Sequence, residues 1–310
     1  MSDKHIICLG SALWDTIMSV DHIPPHGGKV LPDIAVQAAS GMATVAAVTI
    51  ARLGGRVNLW SRIGDDHTGQ MFIEDLAHEG VNTDAVRRVP NVRTPFSTIL
   101  VDRNGERLVV PYFDPALDAS TAWLPVHDIA GAGAVLCDMR WMQGAQVLFS
   151  QARYFGIPTI LDADVAPVED LRALMPFADH VLLSEPALHS LSDKPSPDQA
   201  LLEVASTLNA RVIGVTLGAK GSIIWDNTGN VPAMRRFSTI KIVAQDTLNA
   251  GDVWHGTYAY GVAHGWDLAR TVQTASVAAA MKCEHFGGRA GAPRMAQLLA
   301  RMELEALSTA

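Results

Sequence analysis

The 310-residue chain is short of several things, and each shortage removes a class of protein. Its three cysteines, Cys8, Cys137 and Cys283, lie far apart and make neither a disulfide framework nor a metal-binding spacing. No stretch approaches the roughly 18–20 uninterrupted apolar residues that a membrane span needs. The first nine residues hold one lysine and only four consecutive apolar positions, too little for a signal peptide. There is no basic run, and 24 Lys and Arg against 32 Asp and Glu leave a net charge of −8. Nucleic acid and anionic membrane are therefore poor general partners. Also missing are a Walker A loop, G-x-G-x-x-G after a strand, H-E-x-x-H and G-x-S-x-G, so four large enzyme classes lose their usual support. The expectation is a soluble, cytoplasmic protein whose partners are small molecules. Any anionic ligand must find its positive charge in a few local groups.

What is present is a chain that is 48% apolar and 18% charged, enough to build a sizeable core. Short apolar runs at 5–9, 57–63, 134–137, 159–161, 180–183 and 212–217 read as central strands. Helical spacing at 67–78, 143–155 and 199–208 alternates with them, and 192–198 reads as a surface loop. This alternation predicts an α/β fold: a doubly wound, mostly parallel sheet with helices on both faces, in a single domain over 1–310. Two segments break the rhythm. Residues 16–20 with 30–37, and 96–101 turning at Asn104-Gly105 into 107–112, alternate like strands of a small extra sheet inserted in two pieces, at about 15–39 and 95–113. Such a sheet can cover a cleft or pair with a second copy through its edge. From Asp252 onward the pattern is almost wholly helical, with Gly256, Ala259 and Ala263 on one close-packing face.

The stretch Asp246-Thr-Leu-Asn-Ala-Gly-Asp252 is the most informative for chemistry. A polar turn here opens a helix, so the amides of Asn249, Ala250 and Gly251 would face outward where the helix dipole is positive, ready for a phosphate. Asp252 at the same place could accept a hydroxyl proton, or could be no more than an N-cap. Gly41, in Ser40-Gly-Met-Ala-Thr, opens a small-residue helix and would let backbone approach a ligand, though such a helix often only packs. Thr216-Leu-Gly-Ala-Lys-Gly221 has the glycine content of a nucleotide-contacting loop, a weak signal alone.

Gly10-Ser11…Asp15, Gly41 with its helix, Thr216-Leu-Gly and Asp246-Thr-x-x-Ala-Gly-Asp252, in that order, resemble the ribokinase-like (PfkB) carbohydrate kinases over essentially the whole chain. The resemblance implies a β-sheet lid and ATP-dependent phosphorylation of a sugar hydroxyl. Asp252 would be the base, Asn249, Ala250 and Gly251 the anion hole, Asp15 and Gly41 sugar contacts, and Thr216, Gly218 and Gly221 the nucleotide site. It further implies Mg²⁺, with Glu185 acting through water, K⁺ near Asp246 and the 287–291 loop, and a homodimer through the lid. The sulfofructose kinases look closer still, on Gly28-Lys29, Asp138-Met-Arg140-Trp141, Leu161-Asp-Ala-Asp164, Ser184-Glu-Pro186 and Lys282-Cys283 with Gly287-Gly-Arg-Ala-Gly291. In that branch Lys29 and Arg140 would hold the sulfonate of 6-deoxy-6-sulfofructose, phosphorylated at O1. Arg140 could instead end a strand and pair with Asp138 or Asp162. The chain departs from the pattern at Val45, Pro111, Ala187 and Asn249. Those departures keep open an ordinary kinase for fructose, ribose or a keto-deoxy acid, and a sugar-binding pseudokinase.

Overall fold

The computed structural model describes residues 4–308. Residues 1–3 of the stretch read for a targeting signal, and 309–310 of the expected domain, lie outside them.

Among the described residues thirteen strands form two sheets. The large one is built from β1 (His5–Leu9), β4 (Val57–Gly64), β5 (Val86–Val89), β8 (Ala132–Asp138), β9 (Thr159–Ala163), β10 (His180–Ser184), β11 (Val212–Thr216), β12 (Ser222–Asp226) and β13 (Ala233–Phe237). Its order is β13-β12-β11-β10-β9-β8-β1-β4-β5. All pairs are parallel except β11–β12 and β12–β13. The chain leaves β1 toward β4 on one side and later returns to β8 on the other. That reversal opens a crevice at the carboxyl ends of β1, β4 and β8, where open α/β sheets bind ligands.

Two-residue alternation along each strand splits the core in two. Ile6 and Cys8 of β1, with Leu136 and Ile160, face the helices α1 (Met42–Arg52), α2 (His67–His78), α7 (Ala250–Ala263), α8 (Leu268–Cys283) and α9 (Met295–Ser308). Ile7 and Leu9, with Val135, Cys137 and Leu161, face α3 (Met142–Tyr154), α4 (Val168–Leu174), α5 (Glu185–Leu191) and α6 (Pro197–Ser206). Because helices cover both faces, these strands read as continuous apolar runs. Gly256 earns its place in α7: a Cβ there would stand 2.6 Å from the Ala46 carbonyl oxygen of α1. Val45, one of the expected departures, is fully buried in the same core.

The small sheet has the order β3-β2-β6-β7, from β2 (Leu13–Ser19), β3 (Ile34–Ser40), β6 (Phe96–Val101) and β7 (Arg107–Tyr112). It is stitched from two separate stretches of the chain, with β2 and β6 parallel and the outer pairs antiparallel. The β3 strand starts at Ile34 rather than at 30, beyond Pro32, which has no amide to give a ladder. At the β6–β7 turn only Gly105 takes positive φ (+78°), and the Asp102 carboxylate accepts the amides of Asn104 and Glu106. That is a three-residue loop closed by a left-handed glycine, not the two-residue Asn-Gly turn. The 192–198 loop is shorter than expected, since α6 begins at Pro197 behind its Ser196 cap. On its inner face Ile17, Ile99 and Val101 pack with Leu248, which belongs to the turn ahead of α7.

Candidate active site

That turn brings most of the candidate chemistry together. Asn249 sits in the left-handed region (φ +62°) and ends the turn, so α7 starts at Ala250. The Val253 amide takes the Asn249 carbonyl at 3.0 Å, and the Ala250 amide reaches the Thr247 carbonyl at 3.3 Å. Of the three amides expected to face an anion, Ala250 is thus engaged within the chain. Those of Asn249 and Gly251 have no partner among the described residues. The Asn249 side chain donates Nδ2–H to Asp252 Oδ2 at 2.8 Å, while its buried Oδ1 is unpartnered. A glycine at 249 could not orient the carboxylate in this way.

Asp252 makes no N-cap bond; it lies inside the first turn of α7 and is half-buried. Desolvation, and then the Asp162 carboxylate, push its pKa up to about 7, against the Asn249 hydrogen bond and His255. One turn along the helix, buried His255 presents Nδ1 3.0 Å from Asp162 Oδ2. Burial favours its neutral form, but Asp162 outweighs that and raises its pKa. Sequence reading missed this pair. An Asp on β9 and a His on α7 carry no joint signal until the sheet sets them face to face.

Gly251 and Ala250 line a cleft of about 100 Å³ with Thr216, Gly218, Gly221, Thr239 and Trp254. All three residues expected at the nucleotide site are there. Gly221 is required by close approach: its φ is +85°, and a Cβ would fall 2.0 Å from the Phe237 carbonyl oxygen of β13.

A second cleft, of about 250 Å³, lies at the switch point. Gly10, Ser11, Ser61, Arg62, Phe113 and Arg140 are among its lining residues. Arg140 pairs with neither Asp138 nor Asp162 through its side chain; its guanidinium donates to the Val165 carbonyl at 2.9 Å and stands 3.8 Å from Asp164. Arg62 was not anticipated. It is buried, with its guanidinium 3.9 Å over the Trp141 ring, one Nη bonded to the Asp118 carbonyl, and Nε unpartnered. Desolvation lowers its pKa to about 10, still well above neutrality. Asp138 is the anchor of this region. It accepts the amides of Ser11, Ala43 and Arg140 and the Ser11 hydroxyl. Gly41 is explained within the chain, because a Cβ there would fall 2.4 Å from the Ser11 carbonyl. Asp15 is buried in the small sheet, where Ser97 donates to it; desolvation raises its pKa despite that bond and one from Ser40. Lys29 is exposed between β2 and β3 and lines neither cleft, so the structure does not gather it with Arg140.

Asp246 is fully buried, and Lys282 Nζ lies 2.6 Å from its carbonyl oxygen and 3.2 Å from its carboxylate. Those are the oxygens that K⁺ would need near Asp246, and a fixed ammonium already holds them. The residues present therefore do not fit K⁺, contrary to the sequence expectation. Glu185, half-buried at the start of α5, has no hydrogen bond or ion pair among the described residues. No group of three His, Cys, Asp or Glu among the described residues could hold a metal by itself.

A doubly wound sheet, a small second sheet, and a carboxylate at a helix start beside free amides are a combination suited to holding a phosphate. The profile of the pfkB family of carbohydrate kinases matches residues 3–295, and the chain belongs to that family. It is 40% identical to the crystal structure of "a putative ribokinase" from Agrobacterium tumefaciens, covering 98% of both chains with a TM-score of 0.93. It is similar to ribokinase from Schizosaccharomyces pombe, 23% identical over 312 residues, 95% of this chain and 96% of that one. Arabidopsis thaliana ribokinase complexed with ribose and ATP superposes with a TM-score of 0.81 at 22% identity, covering 97% and 98% of the two chains. Among the described residues no helix is long and apolar enough to cross a membrane.

Proposed function

We propose that the chain transfers the γ-phosphoryl group of ATP to a primary hydroxyl of a fructose-like sugar carrying an anionic group, with O1 of 6-deoxy-6-sulfofructose as the acceptor. The observation that carries the transfer is the half-buried Asp252 carboxylate beside the unpartnered amides of Asn249 and Gly251, next to the cleft of Thr216, Gly218 and Gly221. ATP is the donor in this reading, with its phosphates directed to that cleft; the Arabidopsis relative binds ribose and ATP. The sugar oxygen attacks the γ-phosphorus, the bond to the β-phosphate oxygen breaks, and ADP leaves. Asp252 Oδ takes the hydroxyl proton, with Asn249 Nδ2 holding the carboxylate in place. The two free amides face the transferring group as its negative charge redistributes. Mg²⁺, when bound, would neutralise the phosphate oxygens, with Glu185 holding it through water.

The acceptor is argued from charge. A sulfonate is a permanent anion, so its site must replace hydration with charged donors, each worth about 1.5–3 kcal/mol. Arg62 and Arg140 both line the switch-point cleft. Asp15, Gly41 and Lys29 are assigned to the acceptor side through the small sheet and the start of α1. The exposed β7 edge, with Leu108, Val109 and Val110, is where two copies would pair. Ribose or unmodified fructose is the second reading, favoured by the ribokinase relatives.

The test is ADP release with 6-deoxy-6-sulfofructose, fructose, ribose and a keto-deoxy sugar acid, on the native chain and on Arg140→Ala and Arg62→Ala. The expected result is a preference for the sulfonate, with its KM raised about 10–100-fold in each variant. Best turnover with ribose or fructose overturns the anionic acceptor. Sugar binding with no ADP formed from ATP in the presence of any acceptor overturns the kinase reading.

A further inference from the structure

Lysine is among the residues least often fully buried, because withdrawing an ammonium from water costs several kcal/mol unless good partners replace the solvent. Lys282 is fully buried, and among the described residues its ammonium has one partner, Asp246, engaged through both main chain and side chain. The site is well built. Asp246 Oδ2 also accepts the amides of Gly287 and Gly288 at 3.1 and 2.8 Å, and Oδ1 accepts the Leu248 amide at 2.8 Å. The amides of Gln245 and Asp246 both reach the Cys283 carbonyl, at the end of the helix that carries Lys282. Arg107 reaches the same turn from β7, donating to the Thr247 hydroxyl at 2.6 Å. Three residues after Asp246 the chain turns left-handed at Asn249 and exposes its unpartnered amides.

We propose that Lys282 is a built-in monovalent cation: its ammonium neutralises the buried Asp246 carboxylate and pins its carbonyl, so that the Asn249 and Gly251 amides stay turned toward the transferring group without K⁺. The proposal rests on the kinase reading of Asp252 for its catalytic part only. An ammonium group and a potassium ion are alike in charge and close in size, and both are satisfied by carbonyl and carboxylate oxygens. With its carbonyl and one carboxylate oxygen held by Nζ, Asp246 has little left for a metal. Lys282 acts through the turn and touches no reacting atom, so it is a positioning residue. Desolvation lowers its pKa, and the Asp246 carboxylate works in the opposite direction.

The experiment compares the native chain and Lys282→Met in choline chloride and in potassium chloride at equal ionic strength. Thermal unfolding and ADP release are both measured. The native chain should show the same Tm and the same kcat in both salts. Lys282→Met should lose about 10²-fold in kcat with a smaller change in acceptor KM, as expected for a displaced catalytic turn. Potassium or methylammonium should then raise both its Tm and its kcat, because a cation that binds only the folded state stabilises it. A native chain whose Tm or kcat rises with potassium overturns the proposal. So does a folded Lys282→Met that keeps native kcat, or one whose loss no small cation restores. The native titration stands even where the variant fails to fold. Absence of turnover with every acceptor would count against the kinase reading, while the Tm comparison would still decide the role of Lys282.

Discussion

The cleft at the switch point is walled by side chains, Arg62, Arg140 and Phe113 among them, whereas the cleft beside Gly251 takes much of its shape from main chain at Gly218, Gly221 and Ala250. Side chains can be exchanged without disturbing strands, so the first cleft can change its ligand by substitution. The second is fixed by close approaches such as Gly221 on the Phe237 carbonyl and tolerates little change. Asp252 stands at the start of α7, beside the second cleft. In this reading the nucleotide side is the constant part of the molecule and the acceptor side the variable part.

The sharpest way to break that division is at Asp252. Asp252→Asn should lower kcat by about 10²–10⁴-fold with the KM of both substrates little changed, since general-base help is worth that much. Equal turnover would remove Asp252 from the role. Next comes Gly221→Ala. Its Cβ cannot fit beneath the Phe237 carbonyl, and strain of about 1–3 kcal/mol at a left-handed position should lower Tm. The KM for ATP should rise while that for the acceptor holds; a matching rise in acceptor KM would erase the distinction between the clefts. The smallest effect is in pH. A base must be unprotonated to accept a proton, and the Asp252 pKa is raised to about 7. Turnover should therefore climb about tenfold per unit as pH rises toward 7 and level off above it. A limb near the ordinary carboxylate pKa would show that the carboxyl is better solvated than its surroundings imply.

Much of this was legible in the sequence, and the parts that were not share a cause. The central strands are bare apolar runs because helices bury both their faces, and β6 of the small sheet shows as alternation because one of its faces is wet. The turn from Asp246 to Asp252 was readable because its residues are consecutive. Lys282, Arg62 and the His255–Asp162 pair were not. A buried charge looks in sequence like any surface charge until its partner is known, and these partners lie 36 or more residues away. Gly41 was legible as a glycine the backbone needs, but not the neighbour that needs it, since a Cβ there would meet the Ser11 carbonyl 30 residues away.

The parallel pairing of β2 with β6 has a consequence for how the molecule is made. Asp15 and Ser97 are neighbours across that pairing yet 82 positions apart, so β2 leaves the ribosome long before its partner. Non-local pairings of this kind form slowly, because the entropy of closing the intervening loop comes first. While β6 is still being synthesised, β2 can pair only with β3, a lone two-stranded ribbon of marginal stability. The small sheet is thus completed only after its second pair of strands has been made.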